Sequence, residues 1–374
     1  MQSMTGGFLK PLCLAKARLL PFKKGSFLLF SCSNSFKHFC KEYYLINSIL
    51  VCHGKSLDPY YNLALEEVLL DSVKQGECIL YLWQNAATVV IGRNQNPWRE
   101  CRISRLEEEG GHLARRLSGG GAVYHDIGNL NFTFLCCDND YDLTKHLSVI
   151  VEACRANGIA AEISGRNDVL AKGCKFSGNA FYHSGGKSYH HGTLMVDVDI
   201  KQVERYLSPS PAKLKAKGVA SVRSRVINLR ELAPEMTCQS LSLDMVRAFE
   251  KVYELQSKEL QIEELNQNTI EQLRQRNASK EWLYGRDLPL NFSCSKRFSW
   301  GEISLELGVE RGYINAVQIW TDAMDWQLAE VLKQTFTNKE FSINQLVLAL
   351  SDTELKPDIQ QDIINLLTEQ EILP

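Results

Sequence analysis

Hydrophobic positions along the chain fall at two spacings, every second residue or every third and fourth, and the switches between them mark out the elements. Asn47 to Val51 reads as an opening strand. Asp58-Pro59 then starts a helix, with Asp as N-cap and Pro in the first turn. Tyr60, Leu63, Ala64, Val68 and Leu69 form its apolar stripe, and Glu66 and Glu67 face outward. Cys78 to Trp83 and Thr88 to Ile91 are β-rich runs joined by Gln84-Asn85-Ala86-Ala87, a pattern that predicts a hairpin. Phe132 and Phe134 alternate in a strand over Asn131 to Leu135. Leu147, Ile150, Val151 and Cys154 share one face of a helix over Tyr141 to Asn157, closed by Gly158. A strand over Thr193 to Val198 runs out of His190-His191-Gly192, and Asp199 caps a short helix to Tyr206. A helix over residues 242–256 turns Met245, Val246, Phe249, Val252 and Tyr253 inward.

Beyond that helix the pattern weakens and then changes. Glu259 to Gln275 is polar and reads as a surface helix or a connection. After Asp287-Leu288-Pro289, strands over Glu302 to Leu307 and Tyr313 to Trp320 form a hairpin around Glu310-Arg311-Gly312, and three helical segments finish the chain. The expectation is an α/β (α+β) catalytic domain over residues 46–288 and a small α+β accessory domain over residues 289–374.

Composition changes the picture mainly at the start. Residues 1–41 contain no Asp or Glu but carry Lys10, Lys16, Arg18, Lys23, Lys24, Lys37 and Lys41 among Ser, Leu and Phe. That is the composition of a mitochondrial transit peptide, so the expected location is the matrix. The apolar run Phe27 to Phe30 is too short for a secretory signal core, and no stretch approaches the ~18–20 apolar residues of a membrane span. A net charge of −2 argues against a nucleic-acid surface. The twelve cysteines are scattered without any C-x-x-C, which favours free thiols over a disulfide framework or a structural metal.

The candidate chemistry lies in Arg115-Arg116-Leu117-Ser118-Gly119-Gly120-Gly121-Ala122-Val123-Tyr124-His125-Asp126. Three consecutive glycines let backbone N–H groups converge on one anion, the adjacent arginines suit a phosphate or carboxylate, and Ala122 to Tyr124 reads as a strand leaving the turn. A tight turn without a ligand is the plainer alternative. No P-loop and no strand-linked G-x-G-x-x-G occurs, which excludes those nucleotide folds. A second stretch, Gly165-Arg166-Asn167-Asp168 followed by Lys172-Gly173-Cys174-Lys175-Phe176-Ser177-Gly178-Asn179-Ala180, offers Lys175 as a cation held close to a reacting carbonyl. Neighbours in an extended segment diverge, so Cys174 faces away if Lys175 faces the ligand. The same divergence makes His190-His191 a structural pair before a zinc site. Asp168 is read either as a Mg²⁺ or ribose contact or as a turn cap. Lys213 to Arg225, five basic residues in thirteen with no acid, is read as a solvated charge run.

In these blocks, with Asn62-Leu63-Ala64-Leu65-Glu66-Glu67, Thr88 through Trp98 and His190-His191-Gly192-Thr193, the chain resembles the lipoate-protein ligase A and lipoyltransferase family. The leader resembles that of the family's mitochondrial lipoyltransferases. The resemblance implies a biotin/lipoate-protein-ligase-like catalytic domain with a small C-terminal accessory domain. It implies that Arg116, Gly121, Ala122, Val123 and Tyr124 hold an adenylate and that Lys175 is the catalytic contact to the lipoyl carbonyl and phosphate; Asp168 is added as a candidate cofactor-binding residue on its own chemistry. Lipoyl-AMP is the implied acyl donor, with Mg²⁺ as an open question and no haem, flavin or nicotinamide. The implied acceptors are lysines on lipoyl domains of 2-oxoacid dehydrogenase E2 subunits and on glycine-cleavage H protein; charge and the short apolar runs leave no nucleic acid and no membrane as expected partners, and a monomer is expected. A complete ATP-dependent ligase and a non-catalytic docking scaffold are the alternatives.

Overall fold

The computed structural model describes residues 46–165, 168–208, 226–285, 288–370 and 372. Residues 1–41, Arg166, Asn167 and the basic run Lys213 to Arg225 lie outside the described residues. Among the described residues, no helix is long and apolar enough to cross a membrane.

The strands in chain order are β1 (Ser48–His53), β2 (Glu77–Trp83), β3 (Thr88–Ile91), β4 (His112–Arg115), β5 (Val123–His125), β6 (Asn129–Cys137) and β7 (Ala161–Ser164). They continue as β8 (Asp168–Ala171), β9 (Cys174–Ser184), β10 (Lys187–Met195), β11 (Ser257–Glu259), β12 (Phe292–Arg297), β13 (Glu302–Glu310) and β14 (Tyr313–Thr321). Eight of them build one mixed sheet in the order β11-β1-β2-β6-β10-β9-β8-β7.

Strand alternation gives this sheet two different faces. One carries Ile49, Leu80, Phe132, Phe134, Phe176 and Leu194 and is covered by the helices Leu143–Ala156 and Cys238–Tyr253. Each large side chain buried there contributes roughly 1.5–3 kcal/mol. The opposite face carries Ile79, Tyr81, Leu135 and Tyr189 beneath the helix Pro59–Ser72, whose N-cap Asp58 accepts from the amides of Tyr60 and Tyr61. That helix does not reach the end of the face, and Trp83, Asn131, Thr193, Gly178 and Ala180 line a cavity there.

Several sequence expectations are corrected. β2 and β3 do not form a hairpin: β2 pairs with β1 and β6, and β3 pairs with β4 and β5 in a separate three-stranded sheet. Both runs are wholly buried, so each needs a partner on both edges, and the linking Asn85 is held by Asn62. The strand expected from Thr193 starts at Lys187, because Gly185 and Gly186 both take positive φ and turn β9 back into β10. Helix 242–256 begins at Cys238, where Thr237 caps it, and ends at Tyr253. Glu66 is not outward but buried, 2 % exposed.

At the C-terminal end, β12, β13 and β14 form an antiparallel sheet packed on helices Leu328–Phe336, Ile343–Ser351 and Pro357–Thr368 around Ile303, Leu305, Leu332, Phe336 and Ile363. The segment after β14 is pinned to the large domain. Thr321 N donates to Asn94 O at 2.7 Å, Asn94 Nδ2 to Trp326 O at 2.7 Å, and Gly120 N to Ala323 O at 3.0 Å.

Candidate active site

The two arginines before the glycines do different work. Arg115 ends β4 and donates to the carbonyls of Gly92, Arg93 and Gln95 and to those of Trp282 and Leu283, tying three segments together. Burial lowers its guanidinium to about 9 and that of Arg116 to about 10. Arg116 turns into the loop: Nε donates to Ser118 Oγ, one Nη to Val90 O, and the other Nη to Gly119 O at 2.7 Å and Gly121 O at 2.8 Å. Because C=O and N–H point oppositely across a trans peptide, each carbonyl drawn to Arg116 sends the next amide outward. The amide after Gly119 meets Ala323 O, and the one after Gly121 belongs to Ala122. Among the described residues the amides of Gly121 and Ala122 donate to no protein group, and both residues line the cavity. The positive φ of the loop, +89°, is at Gly120 and not at Gly121.

Lys175 reaches the same cavity from β9. The β8–β9 register slips between Val169 and Leu170, so Phe176 is extra on β9 and Lys175 comes to the side of Gly178. A Cβ on Gly178 would lie 2.9 Å from Lys175 Nζ, so the missing side chain makes room for the ammonium itself. Asp168 pairs directly opposite Gly178, and its Oδ1 meets Lys175 Nζ at 2.6 Å. Cys174 does not line the cavity.

His190 and His191 diverge across the sheet. His190 lies in the closed face, stacked near Phe134 and His146, with Nε2 2.8 Å from Asn179 Oδ1. His191 lines the cavity, with Nδ1 2.9 Å from Glu66 Oε1 and Nε2 2.7 Å from Ser118 Oγ. Thr133 donates to the same Glu66 oxygen at 2.7 Å. A proton on Nδ1 satisfies the carboxylate, the Ser118 hydroxyl then donates to Nε2, and Arg116 Nε donates to Ser118. The order Ser, His, Glu is that of a hydrolase triad, but Ser118 is fully buried, lines no cavity and is capped by Arg116. The chain Glu66-His191-Ser118-Arg116 therefore fixes the loop rather than supplying a nucleophile.

The cavity holds about 390 Å³, a size suited to a small-molecule ligand. Leu63, Trp83, Val90 and Val123 make an apolar stretch, and Lys175, Asp168 and the loop amides make a polar one. From the C-terminal domain, Arg297, Trp300 and Met324 also border it. Of the residues singled out in the sequence, Arg116, Gly121, Ala122, Val123, Asp168 and Lys175 are brought together here. Tyr124 is not: it lies on the other side of β5, against Tyr206 at 5.6 Å. Sequence reasoning missed His125 and Glu66, and it read His191 only as half of a structural pair without its partners Glu66 and Ser118. Glu66 stands four residues after Asn62 and three before Leu69, on the helix face that is buried, and that spacing was its signal. Asp168 Oδ1 meets Lys175 in this arrangement, and no cluster of three His, Cys, Asp or Glu side chains exists among the described residues.

Comparison with known proteins agrees along nearly the whole described chain. The family model "Lipoyl protein ligase A/B catalytic domain" matches residues 58–250, and "Bacterial lipoate protein ligase C-terminus" matches residues 289–372. Lipoate-protein ligase A of Psychrobacter cryohalolentis is 39 % identical over 292 residues, 76 % of this chain and 86 % of that protein. The crystal structure of P. falciparum LipL1 in complex with lipoate is similar with a TM-score of 0.75 at 26 % identity, covering 86 % of this chain and all of that one. A structure of lipoate-protein ligase A bound with ATP shares the fold, with a TM-score of 0.54 at 24 % identity over 64 % of this chain and 98 % of that one. With both domains matched and this identity over three quarters of its length, the chain belongs to the lipoate-protein ligase A family.

Proposed function

We propose that the protein is a lipoyltransferase that moves a lipoyl group from lipoyl-AMP to the ε-amine of a lysine on lipoyl domains of 2-oxoacid dehydrogenase E2 subunits or on glycine-cleavage H protein. The observation that carries this is the ammonium of Lys175 sharing one cavity with Gly121 and Ala122, whose amides donate to no described protein group, and with an apolar arm. The acyl chain lies along Leu63 and Trp83, the phosphate meets the loop amides, and Lys175 sits at the carbonyl between them. The acceptor amine adds to that carbonyl carbon, the bond from carbon to the phosphate oxygen breaks, and AMP leaves while the amine gives up a proton. Lys175 stabilises the charge that builds on the carbonyl oxygen, and the rest is positioning. Lys175 exchanges its partner Asp168 for the ligand as the adenylate binds. The acid-free leader supports a mitochondrial matrix location.

A complete ATP-dependent ligase is the second reading, favoured by the 39 % identity to a protein named lipoate-protein ligase A. Purified protein is given either lipoate with labelled ATP or preformed lipoyl-AMP, each with an unlipoylated lipoyl domain. Transfer from lipoyl-AMP alone establishes the transferase, label appearing in AMP from free lipoate establishes the ligase, and transfer from neither overturns both.

A further inference from the structure

His125 ends β5 and lines the cavity, yet it takes no part in the loop-fixing chain or at Lys175. Its surroundings decide which nitrogen holds the proton. Asn62 Nδ2 donates to Ser56 O at 2.9 Å and Gln84 O at 2.8 Å, and backbone carbonyls can only accept, so the orientation of this amide is settled. The same Nδ2 meets Asn85 Oδ1 at 2.9 Å, which leaves Asn85 Nδ2 facing His125 Nδ1 at 3.1 Å. An amide nitrogen can only donate, so Nδ1 is the acceptor and the proton is on Nε2. A doubly protonated ring would set N–H against N–H, and burial holds the imidazole neutral, lowering it to about 3. Nε2–H is thus a fixed donor on a side chain only 3 % exposed, and it has no acceptor in the protein. A buried donor left without an acceptor costs free energy, so one held by a two-residue relay calls for an explanation.

The ring stands at the apolar stretch of the cavity, edge to face with Trp83 at 6.1 Å and two residues from Val123. We infer that His125 Nε2–H is a specificity-determining contact that recognises a sulfur acceptor at the far end of the acyl chain. This rests on the proposed lipoyl reading. A lipoyl chain is an octanoyl chain carrying two sulfurs, weak acceptors that suit a donor in apolar surroundings, and the plain octanoyl chain leaves that donor unmet. The relay through Asn85 and Asn62 then has a use: it keeps a donor, and never an acceptor, turned to the ligand.

The test compares lipoyl-AMP with octanoyl-AMP on the full protein. Nitrogen NMR with labelled histidine is expected to show His125 protonated on Nε2 alone at neutral pH, its Nε2–H signal shifting with lipoyl-AMP and much less with octanoyl-AMP. In transfer assays His125→Phe, which keeps a flat ring and removes the donor, is expected to lower the lipoyl-to-octanoyl ratio of kcat/KM about fivefold. A proton on Nδ1, an equal NMR response to both adenylates, or an unchanged ratio in a folded His125→Phe protein overturns the assignment. Transfer from neither adenylate by the native protein overturns the proposed function instead, and the NMR comparison still decides His125 by itself.

Discussion

His190 and His191 are neighbours in β10, and they report on two faces of one sheet that serve different ends. On the side of His190 two helices, one of them contributing Phe249, close over Phe132 and Phe134, and even the polar rings of His146 and His190 are stacked into that core. On the side of His191 a single helix stops short, and the uncovered strands carry a hydrogen-bonded chain from Glu66 to Arg116 and a cavity. The closed face stabilises through buried area. The open face leaves amides, an ammonium and an imidazole donor available to a ligand. Substitutions on the two faces should therefore separate: activity should fail on one and stability on the other.

The largest effect is expected from Lys175→Ala on the open face. Loss of the ammonium should remove about 3 kcal/mol or more of transition-state stabilisation, a fall of over a hundredfold in transfer from lipoyl-AMP. The melting temperature should hardly move, because the side chain is a quarter exposed and its ion pair with Asp168 is small in stability terms. A variant that keeps more than a tenth of native turnover would break the contrast at its centre.

On the closed face the expected signature is sensitivity to acid. Burial lowers His146 to about 3, and neither ring nitrogen has a protein partner. In the unfolded chain the same ring takes up a proton near its ordinary value of about 6.5. Between those values the unfolded state binds the extra proton, so folding stability falls by about 1.4 kcal/mol per pH unit for each such group as pH drops. Stability is complete above about 6.5 and declines toward about 3. His146→Leu should remove one proton from this balance and flatten the slope by that amount in urea titrations at several pH values, with transfer at pH 7.5 unaffected. An unaltered slope would mean that His146 is charged in the fold.

The smallest effect sharpens the boundary between the faces. Cys174 is next to Lys175 but does not line this cavity, and it is in none of the described core clusters. Cys174→Ser should change both turnover and stability by under about 0.5 kcal/mol. A thioester trapped at this thiol would overturn that placement.

How far the sequence could be read follows from the same division. Local patterns worked where structure is local: Asp58 and Asp199 as caps, Gly158 with φ +73° after the helix Leu143–Ala156, and the strand pair that ends in β14. The failures were non-local. A hairpin between β2 and β3 satisfies both runs only if nothing better competes, and β1, β4, β5 and β6 compete from distant positions. Period counting treats carboxylates as outward, which misplaced Glu66, and the divergence of His190 and His191 could be read without showing that Glu66 and Ser118 are the partners of His191. The glycine loop and Lys175 were legible as motifs. Their arrangement was not, since Arg116 acts on loop carbonyls and Gly178 accommodates a lysine from its own strand.

The cavity wall runs from Leu63 to Met324 in the chain, and the sheet beneath it joins Ile49 to Ser257 and Cys78 to Cys136. Such pairings close long loops before any contact compensates, which makes them slow steps in folding. A chain emerging in synthesis can complete the Pro59–Ser72 and Leu143–Ala156 helices early, but the cavity wall is incomplete until the segment that meets Gly120 has been made and seated. Helical signal in refolding should thus run well ahead of ligand capture, and the interval between them is when unpaired strand edges are most exposed to aggregation or to a chaperone.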